Sequence, residues 1–151
     1  MNIFTYMYYS KKNIFDETQF KTTNTKLKDS LTSISAKLDD ANYFALENNQ
    51  NAQDYLNSGD GIKNISYEKL ISLVKEKLMD LNENPKGNPY TGQEQIGAQK
   101  FIINKAKVLN HRWVIADFSD GEYWGEVLLK YFVNEDESIT FETVQSILYQ
   151  K

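Results

Sequence analysis

The sequence predicts an α+β fold in which two or three N-terminal helices pack on a C-terminal antiparallel meander of three or four strands. Apolar residues recur at helical spacing in the first half, and β-branched and aromatic residues crowd the last third. Between two such aromatic runs stands Asp120-Gly121, a dipeptide typical of a tight hairpin turn. We expect one domain over residues 1–151, mainly helical in 1–84 and mainly sheet in 99–149.

The hairpin over Arg112–Val133 is the most clearly patterned element. Along its second arm the odd positions are apolar except for Gly125, while the even positions mix charged and aromatic residues. One face of the sheet should therefore face the core, and the other should be half exposed to water. Trp124 shares that second face with Glu126 and Lys130, where it could anchor an interface or pack under the C-terminal segment.

A first helix is predicted from Thr25 to about Leu46, because apolar residues recur there at steps of four and three. These residues are Leu27, Leu31, Ile34, Leu38, Ala41 and Ala45. The aromatic-rich residues 1–23 leave two alternatives open. They are an edge strand through Met1, Ile3 and Met7, or a short helix through Phe4, Tyr8 and Phe15.

A short helical turn is expected at residues 52–56 and a longer helix after Ser66. The Ser66 hydroxyl can accept a hydrogen bond from the free amides of the first turn. This helix should end near Asn82, ahead of Pro85. Residues 84–93 contain both prolines of the chain and are predicted to be a linker.

The remaining strands follow from β-branched and aromatic runs separated by polar turns. Residues 99–109 suit a strand better than a helix, and Asn110-His111 should turn that strand into the hairpin. Residues 134–138 form a polar connection into 139–149. That last segment is predicted as a strand, with a short terminal helix as the alternative.

Helices first and a meander second resemble the NTF2-like cone fold in element order and length. In that fold, N-terminal helices close a bent sheet around a pocket. The resemblance implies a domain that binds or hydrolyses a small molecule. In such a pocket, His111 and Asp117 would be the polar groups.

Composition excludes several classes of protein. The chain has no cysteine, which excludes disulfides and thiolate chemistry, and it has no apolar run long enough for a membrane span. Its N-terminus lacks the basic region of a signal peptide, so we expect a cytoplasmic protein. Arg112 is the single arginine among 17 basic residues, which indicates a codon bias typical of an AT-rich bacterial genome.

Charge is unevenly distributed along a chain whose net charge is −4. Residues 100–112 contain four bases and no acid, whereas 117–142 contain eight acids and only one base, Lys130. An acidic field of this kind repels nucleic acid and favours a basic protein partner.

Segments that resemble metal-binding and phosphate-binding motifs occur in the sequence, but each lacks residues that the motif requires. The loop 56–67 places Leu56 and Tyr67 where an EF-hand needs oxygen ligands, and 132–143 fails in the same way. The glycines of 92–97 have P-loop spacing but lack the following lysine and hydroxyl. His111 is the only histidine, which excludes multi-histidine metal sites. We predict no cofactor and no metal.

The leading hypothesis is a non-enzymatic bacterial protein that binds a basic protein through an acidic, aromatic sheet surface. Immunity proteins that neutralise basic toxins have this profile: small, acidic and without a catalytic motif. The predicted contacts are Asp120, Glu122, Trp124 and Glu126, with Glu135, Asp136 and Glu137 as a second acidic rim. His111 and Asp117 are the candidates for catalysis, and paired-acid chemistry among Asp117, Asp120, Glu122 and Glu126 is a further alternative. The sequence favours a protein without enzymatic activity but leaves the question open.

Overall fold

A computed structural model describes residues 2–58, 65–134 and 136–149. Within these ranges, helices precede a four-stranded antiparallel sheet, which confirms the predicted α+β class. The helices are α1 (Ile3–Ala41), α2 (Gln50–Asn57) and α3 (Tyr67–Asp80). The strands are β1 (Ile102–Val108), β2 (Trp113–Ser119), β3 (Trp124–Val133) and β4 (Ile139–Tyr149). They form a meander in the order β1-β2-β3-β4.

The chain divides into two compact units, Met1–Ala41 and Asn42–Lys151. The first consists of α1, which contributes no buried residue. The second contains the hydrophobic core, to which α2, α3 and all four strands contribute. The expectation of a single domain over 1–151 stays a prediction.

Helix α1 differs from the helix expected over residues 25–46. It begins at Ile3, so the aromatic N-terminal segment is helical, and it ends at Ala41. At 3.6 residues per turn, the apolar residues between Ile3 and Phe15 lie mostly on the face opposite Leu27 and Leu31. No single apolar stripe therefore runs the length of the helix. Beyond its end, the expected stripe member Ala45 is buried in the second unit.

Helices α2 and α3 begin at side-chain caps. Asn49 Oδ1 accepts a hydrogen bond from Ala52 N at 3.0 Å, and Ser66 Oγ accepts one from Lys69 N at 3.3 Å. The second of these caps was predicted from the sequence. Helix α3 packs against β1. It buries Leu70, Ile71, Val74 and Leu78.

The hairpin turn between β2 and β3 is stabilised by Asp120. Its Oδ1 accepts hydrogen bonds from Glu122 N at 2.9 Å and Tyr123 N at 2.7 Å, and Gly121 has a φ of 95°. Beyond the turn, burial alternates along both strands as predicted. The core-facing residues are Val114, Ala116 and Phe118 on β2 and Gly125, Val127, Leu129 and Tyr131 on β3.

Residues 84–93, expected to be a plain linker, form a buried polar network together with Asn82; we call residues 82–93 the linker segment. Asn82 pairs with the main chain of Ile103, where Oδ1 accepts from N at 2.9 Å and Nδ2 donates to O at 2.8 Å. Asn88 is buried, and its Nδ2 donates to Leu78 O, at the end of α3, at 2.8 Å. The segment therefore fastens α3 to the edge strand β1.

The far end of the linker segment is bound to the other edge strand, β4. Ser146 Oγ donates a hydrogen bond to Thr91 O at 2.6 Å, and Thr143 Oγ1 donates one to Tyr90 O at 3.3 Å. The Tyr90 ring also packs against Phe141, with centroids 5.3 Å apart. One segment thus contacts both edges of the sheet.

Segment 139–149 is a strand and not a helix, and 99–109 contains the strand that the sequence favoured. Of the EF-hand-like loop at 56–67, residues 59–64 lie outside the described ranges. No helix in the described part of the chain combines the length and apolar character that crossing a membrane requires. Closure of the sheet as an NTF2-like cone stays a prediction.

Candidate functional site

The sheet has a second face, turned away from the core, which we call the outer face. It combines apolar and charged side chains in alternating register with the core residues. Its apolar members are Trp113, Ile115, Trp124, Leu128, Phe132, Ile147 and Tyr149. Its charged members are Lys105, Lys107, Asp117, Glu126, Lys130 and Glu142. The outer face is therefore partly apolar and partly charged, as a half-exposed sheet face is expected to be.

Trp124 is the most prominent aromatic residue of the outer face. It remains 42% exposed and pairs across the strands with Tyr149. The two rings lie 4.5 Å apart between centroids at an interplanar angle of 32°. Tyr149 therefore packs against the indole, part of which remains exposed to water. A ring already held in place loses little conformational freedom when a partner packs on it.

Asp117 and Glu126 lie directly opposite each other on β2 and β3. Paired residues on one face have Cβ atoms about 5 Å apart, and like charges in this position repel. Asn104 Nδ2 donates a hydrogen bond to Asp117 Oδ2 at 3.2 Å. In the described part of the chain, no basic nitrogen lies within 4 Å of either carboxylate, although Lys105 is the β1 register partner of Asp117. The pair is a concentrated negative charge.

The other predicted acidic contacts are distributed over both ends of the sheet. Asp120 is buried in the β2–β3 turn, whereas Glu122 is exposed at its tip. Asp136 and Glu137 are exposed in the β3–β4 turn, which lies about 30 Å away along β3. Hydrogen bonds from Ser138 hold the pKa of Asp136 below its usual value. Glu135 lies outside the described residues.

Basic side chains balance much of the remaining outer face. Lys107 Nζ lies 3.3 Å from Glu47 Oε1, and Lys130 Nζ lies 3.4 Å from Glu142 Oε1. Lys130 also lies 5.7 Å from the centre of the Trp113 ring. The run of eight acids therefore does not form one acidic surface, because strand alternation and the turns separate its members. Among the described acids of the outer face, Glu142 has a basic partner within 4 Å, whereas Asp117 and Glu126 have none.

His111 lies in the turn between β1 and β2, as the sequence predicted. Its ring packs 4.4 Å from that of Tyr55, and Nδ1 is buried with no hydrogen-bond partner in the described residues. Burial, and then the neighbouring Arg112 charge, lower the pKa of the imidazole. Asp117 stands six residues further along, about 20 Å away in extended chain, on the outer face. The structure does not bring these two groups together.

No cluster of three or more potential metal-binding side chains occurs among residues 2–58, 65–134 and 136–149. A shallow depression beside the β3–β4 turn is lined by Val133, Asn134, Asp136 and Ser138. Its single carboxylate already accepts hydrogen bonds from Ser138 N at 3.0 Å and Ser138 Oγ at 2.6 Å. This depression offers no pair of groups for acid–base chemistry.

The fold and the outer face together define an α+β protein with an exposed aromatic surface beside an uncompensated pair of carboxylates. Comparison of the chain with protein-family models, with curated proteins and with solved structures gives no match. Function is therefore inferred from the residues themselves.

Proposed function

We propose that this chain is a non-enzymatic protein-binding module that takes a basic partner on the outer face around Trp124 and Glu126. The observation that carries the proposal is the carboxylate pair of Asp117 and Glu126 beside an exposed indole. A lysine or arginine of the partner would relieve the repulsion within the pair. Such a cation would be attracted by two carboxylates at once, which is a stronger interaction than an ordinary ion pair.

The geometry favours arginine or lysine over an apolar anchor. Trp124 and Glu126 are two positions apart on one strand, so their side chains leave the same face about 7 Å from each other. A guanidinium group could stack on the exposed part of the indole and donate hydrogen bonds to the carboxylate. Ile147, the β4 partner of Glu126, is exposed beside them and supplies apolar area.

Under this proposal, the acidic residues that were predicted to contact the partner have different roles. Glu122 at the hairpin tip lies near the same end of the sheet as Trp124 and extends the contact. Asp120 acts by holding the turn through its two main-chain hydrogen bonds. Glu135, Asp136 and Glu137 would touch only a partner long enough to span β3.

An immunity-type inhibitor of a basic bacterial toxin, working in the cytoplasm, is the form of this function that we propose. The small size, the net charge of −4 and the aromatic sheet surface support it. The separation of His111 from Asp117 supports the surface over the alternative, an NTF2-like pocket that binds or hydrolyses a small molecule.

The test is capture from a bacterial lysate by the wild-type chain and by two charge-reversal variants. Glu126→Lys removes half of the carboxylate pair, while Glu76→Lys makes the same charge change at an exposed position of α3. We expect a basic protein that Glu76→Lys retains and Glu126→Lys loses. Trp124→Ala should lose it as well, through a faster dissociation rate.

A salt titration distinguishes the long-range electrostatic attraction that speeds association from the short-range contacts that hold the complex together. Association with the captured partner should slow as ionic strength rises, and Glu126→Lys should flatten that dependence. Equal retention by Glu126→Lys and Glu76→Lys would contradict the proposal.

A further inference from the structure

Helix α1 exposes large apolar side chains along one line. Phe20, Leu27, Leu31, Ile34 and Leu38 are each between 58% and 70% exposed, and no residue of the helix is buried. Threonine, serine and asparagine recur through its sequence, and these residues favour helix less than alanine or leucine does. Most helices in proteins are stabilised by packing of an apolar face. We therefore expect another protein surface to cover the exposed apolar side chains of this helix.

The spacing of these side chains is that of a coiled coil. Leu27, Leu31, Ile34, Leu38 and Ala41 alternate steps of four and three, and Asn24 continues the pattern back to Phe20. In heptad notation, Asn24, Leu31 and Leu38 occupy a positions. Phe20, Leu27, Ile34 and Ala41 occupy d positions. A repeat of 3.5 residues keeps such a seam facing another helix along its whole length.

We propose that the seam from Phe20 to Ala41 pairs with the same seam of a second copy of this chain, as a parallel, in-register coiled coil. The polar side chain of Asn24 favours this parallel arrangement over an antiparallel one. In parallel register it faces Asn24 of the second copy, and the two amides can hydrogen-bond to each other. In the antiparallel alignments that keep the seam buried, Asn24 meets Ile34 or Ala41 and its amide stays unsatisfied.

The flanking positions are compatible with self-pairing. Asp16 at a g position lies opposite Lys21 at the e position of the second copy, and Lys21, whose Nζ lies 2.7 Å from Glu17 Oε1 of its own helix, would then stand between two carboxylates. No like-charged g and e residues meet between Phe20 and Ala41. Glu17, at the a position before Phe20, would place two carboxylates together. The seam therefore begins at Phe20.

The seam is large enough for a specific dimer. Burying five large apolar side chains from each copy removes on the order of 1,000 Å² from water, at the area per side chain that transfer energies imply. Specific interfaces begin at about this size. The inference does not rest on the proposed binding of a basic partner, because it uses a different surface.

Sedimentation equilibrium of the full chain tests the proposal. We expect a monomer–dimer equilibrium in which the wild type is dimeric at high micromolar concentration. Leu31→Lys, at a seam position, should make the chain monomeric. Ala36→Lys, on the opposite face of α1, should leave the dimer unchanged. A monomeric wild type, or a dimer that Leu31→Lys does not weaken, would overturn the proposal.

Cross-linking tests the register, and the chain is suited to it because it has no cysteine. Asn24→Cys should form a disulfide-linked dimer under mild oxidation, since a parallel seam brings the two positions within disulfide range. Ala36→Cys should not do so at the same concentration. In an antiparallel pair the Asn24→Cys sulfurs would be about 15 Å apart if Asn24 faces Ile34, and about 25 Å apart if it faces Ala41. A non-covalent dimer without this cross-link would therefore overturn the parallel arrangement.

Discussion

Gly125 lies where the neighbouring strand and the Phe118 ring leave no room for a side chain. A Cβ atom at this position would clash with Ile147 O and would lie 2.5 Å from Phe118 Cζ. Neither neighbour can move freely, because one is main chain of β4 and the other is a fully buried ring. The missing side chain therefore lets Phe118 fill the core against β3.

Gly125→Ala should lower the free energy of unfolding by about 3 kcal/mol, because an added methyl group overpacks a rigid site. Urea unfolding followed by tryptophan fluorescence measures the change. Gly97→Ala is the matched control, since its Cβ would meet only Glu122 Oε2 at 3.9 Å. Equal midpoints for the two variants would contradict this reading of the packing.

His111 makes stability depend on pH. Burial lowers the pKa of its ring in the folded state, so below about pH 6.5 the unfolded chain binds more protons than the folded one. The stabilising contribution is fully present above that pH and is lost as the pH falls through the folded-state pKa.

A proton NMR titration should give a pKa for His111 below the ordinary histidine value. The chain has no other histidine, so the ring signals need no assignment by mutation. His111→Gln should flatten the stability profile between about pH 7 and pH 5.5, where histidine titrates. An unshifted titration, or an unchanged profile in His111→Gln, would show that the ring is solvated.

At the scale of elements, local signals in the sequence predicted the sheet well. Asp120-Gly121 located the hairpin, and the alternation around Val127 and Leu129 gave its core face. Helix α1 was predicted only in part, because its two halves place their apolar residues on opposite faces. The linker itself was predicted over 84–93, but its buried polar network was not, for a different reason. Asn82 binds Ile103, which is 21 positions away, and no local pattern indicates such a contact.

The candidate site was predicted in composition but not in layout. Trp124 and Glu126 were expected on the half-exposed face and lie there. The positions that the acidic side chains of residues 117–142 take on the sheet could not be predicted without the strand register. The sequence alone does not tell whether such a carboxylate lies in a turn or on a strand. The pairing of Asp117 with Glu126 follows only once β2 and β3 are aligned.

Asn88 is the residue on which the linker segment depends most. Its Nδ2 donates to Leu78 O and to Asn82 Oδ1, while its Oδ1 accepts from Tyr90 N at 3.1 Å. Asn88→Ala leaves these buried groups without partners and should cost about 2–3 kcal/mol in urea unfolding. Asn84→Ala, an exposed position in the same segment, should cost less than about 1 kcal/mol. Similar losses for both would contradict a special role for Asn88.

On the scale of the whole molecule, the core and α1 are separable. Every buried residue in the described part of the chain lies at Ala45 or beyond. A chain beginning at Asn42 should therefore unfold cooperatively, with the urea midpoint of the full protein. Trp113 and Trp124 report this transition by fluorescence, since both lie in the sheet. A clearly lower midpoint would show that α1 stabilises the second unit.

Asn82 has a further consequence for how the protein behaves at high concentration. The open edge of a sheet is a template on which another chain can add a strand, and such growth leads to fibres. At β1 the side chain of Asn82 already occupies both the amide and the carbonyl of Ile103. At β4 the register shift opposite Leu128 and Leu129 interrupts the edge. An added strand would have to displace the Asn82 side chain at β1 or pair with an irregular edge at β4. Both features make strand addition at these positions less favourable.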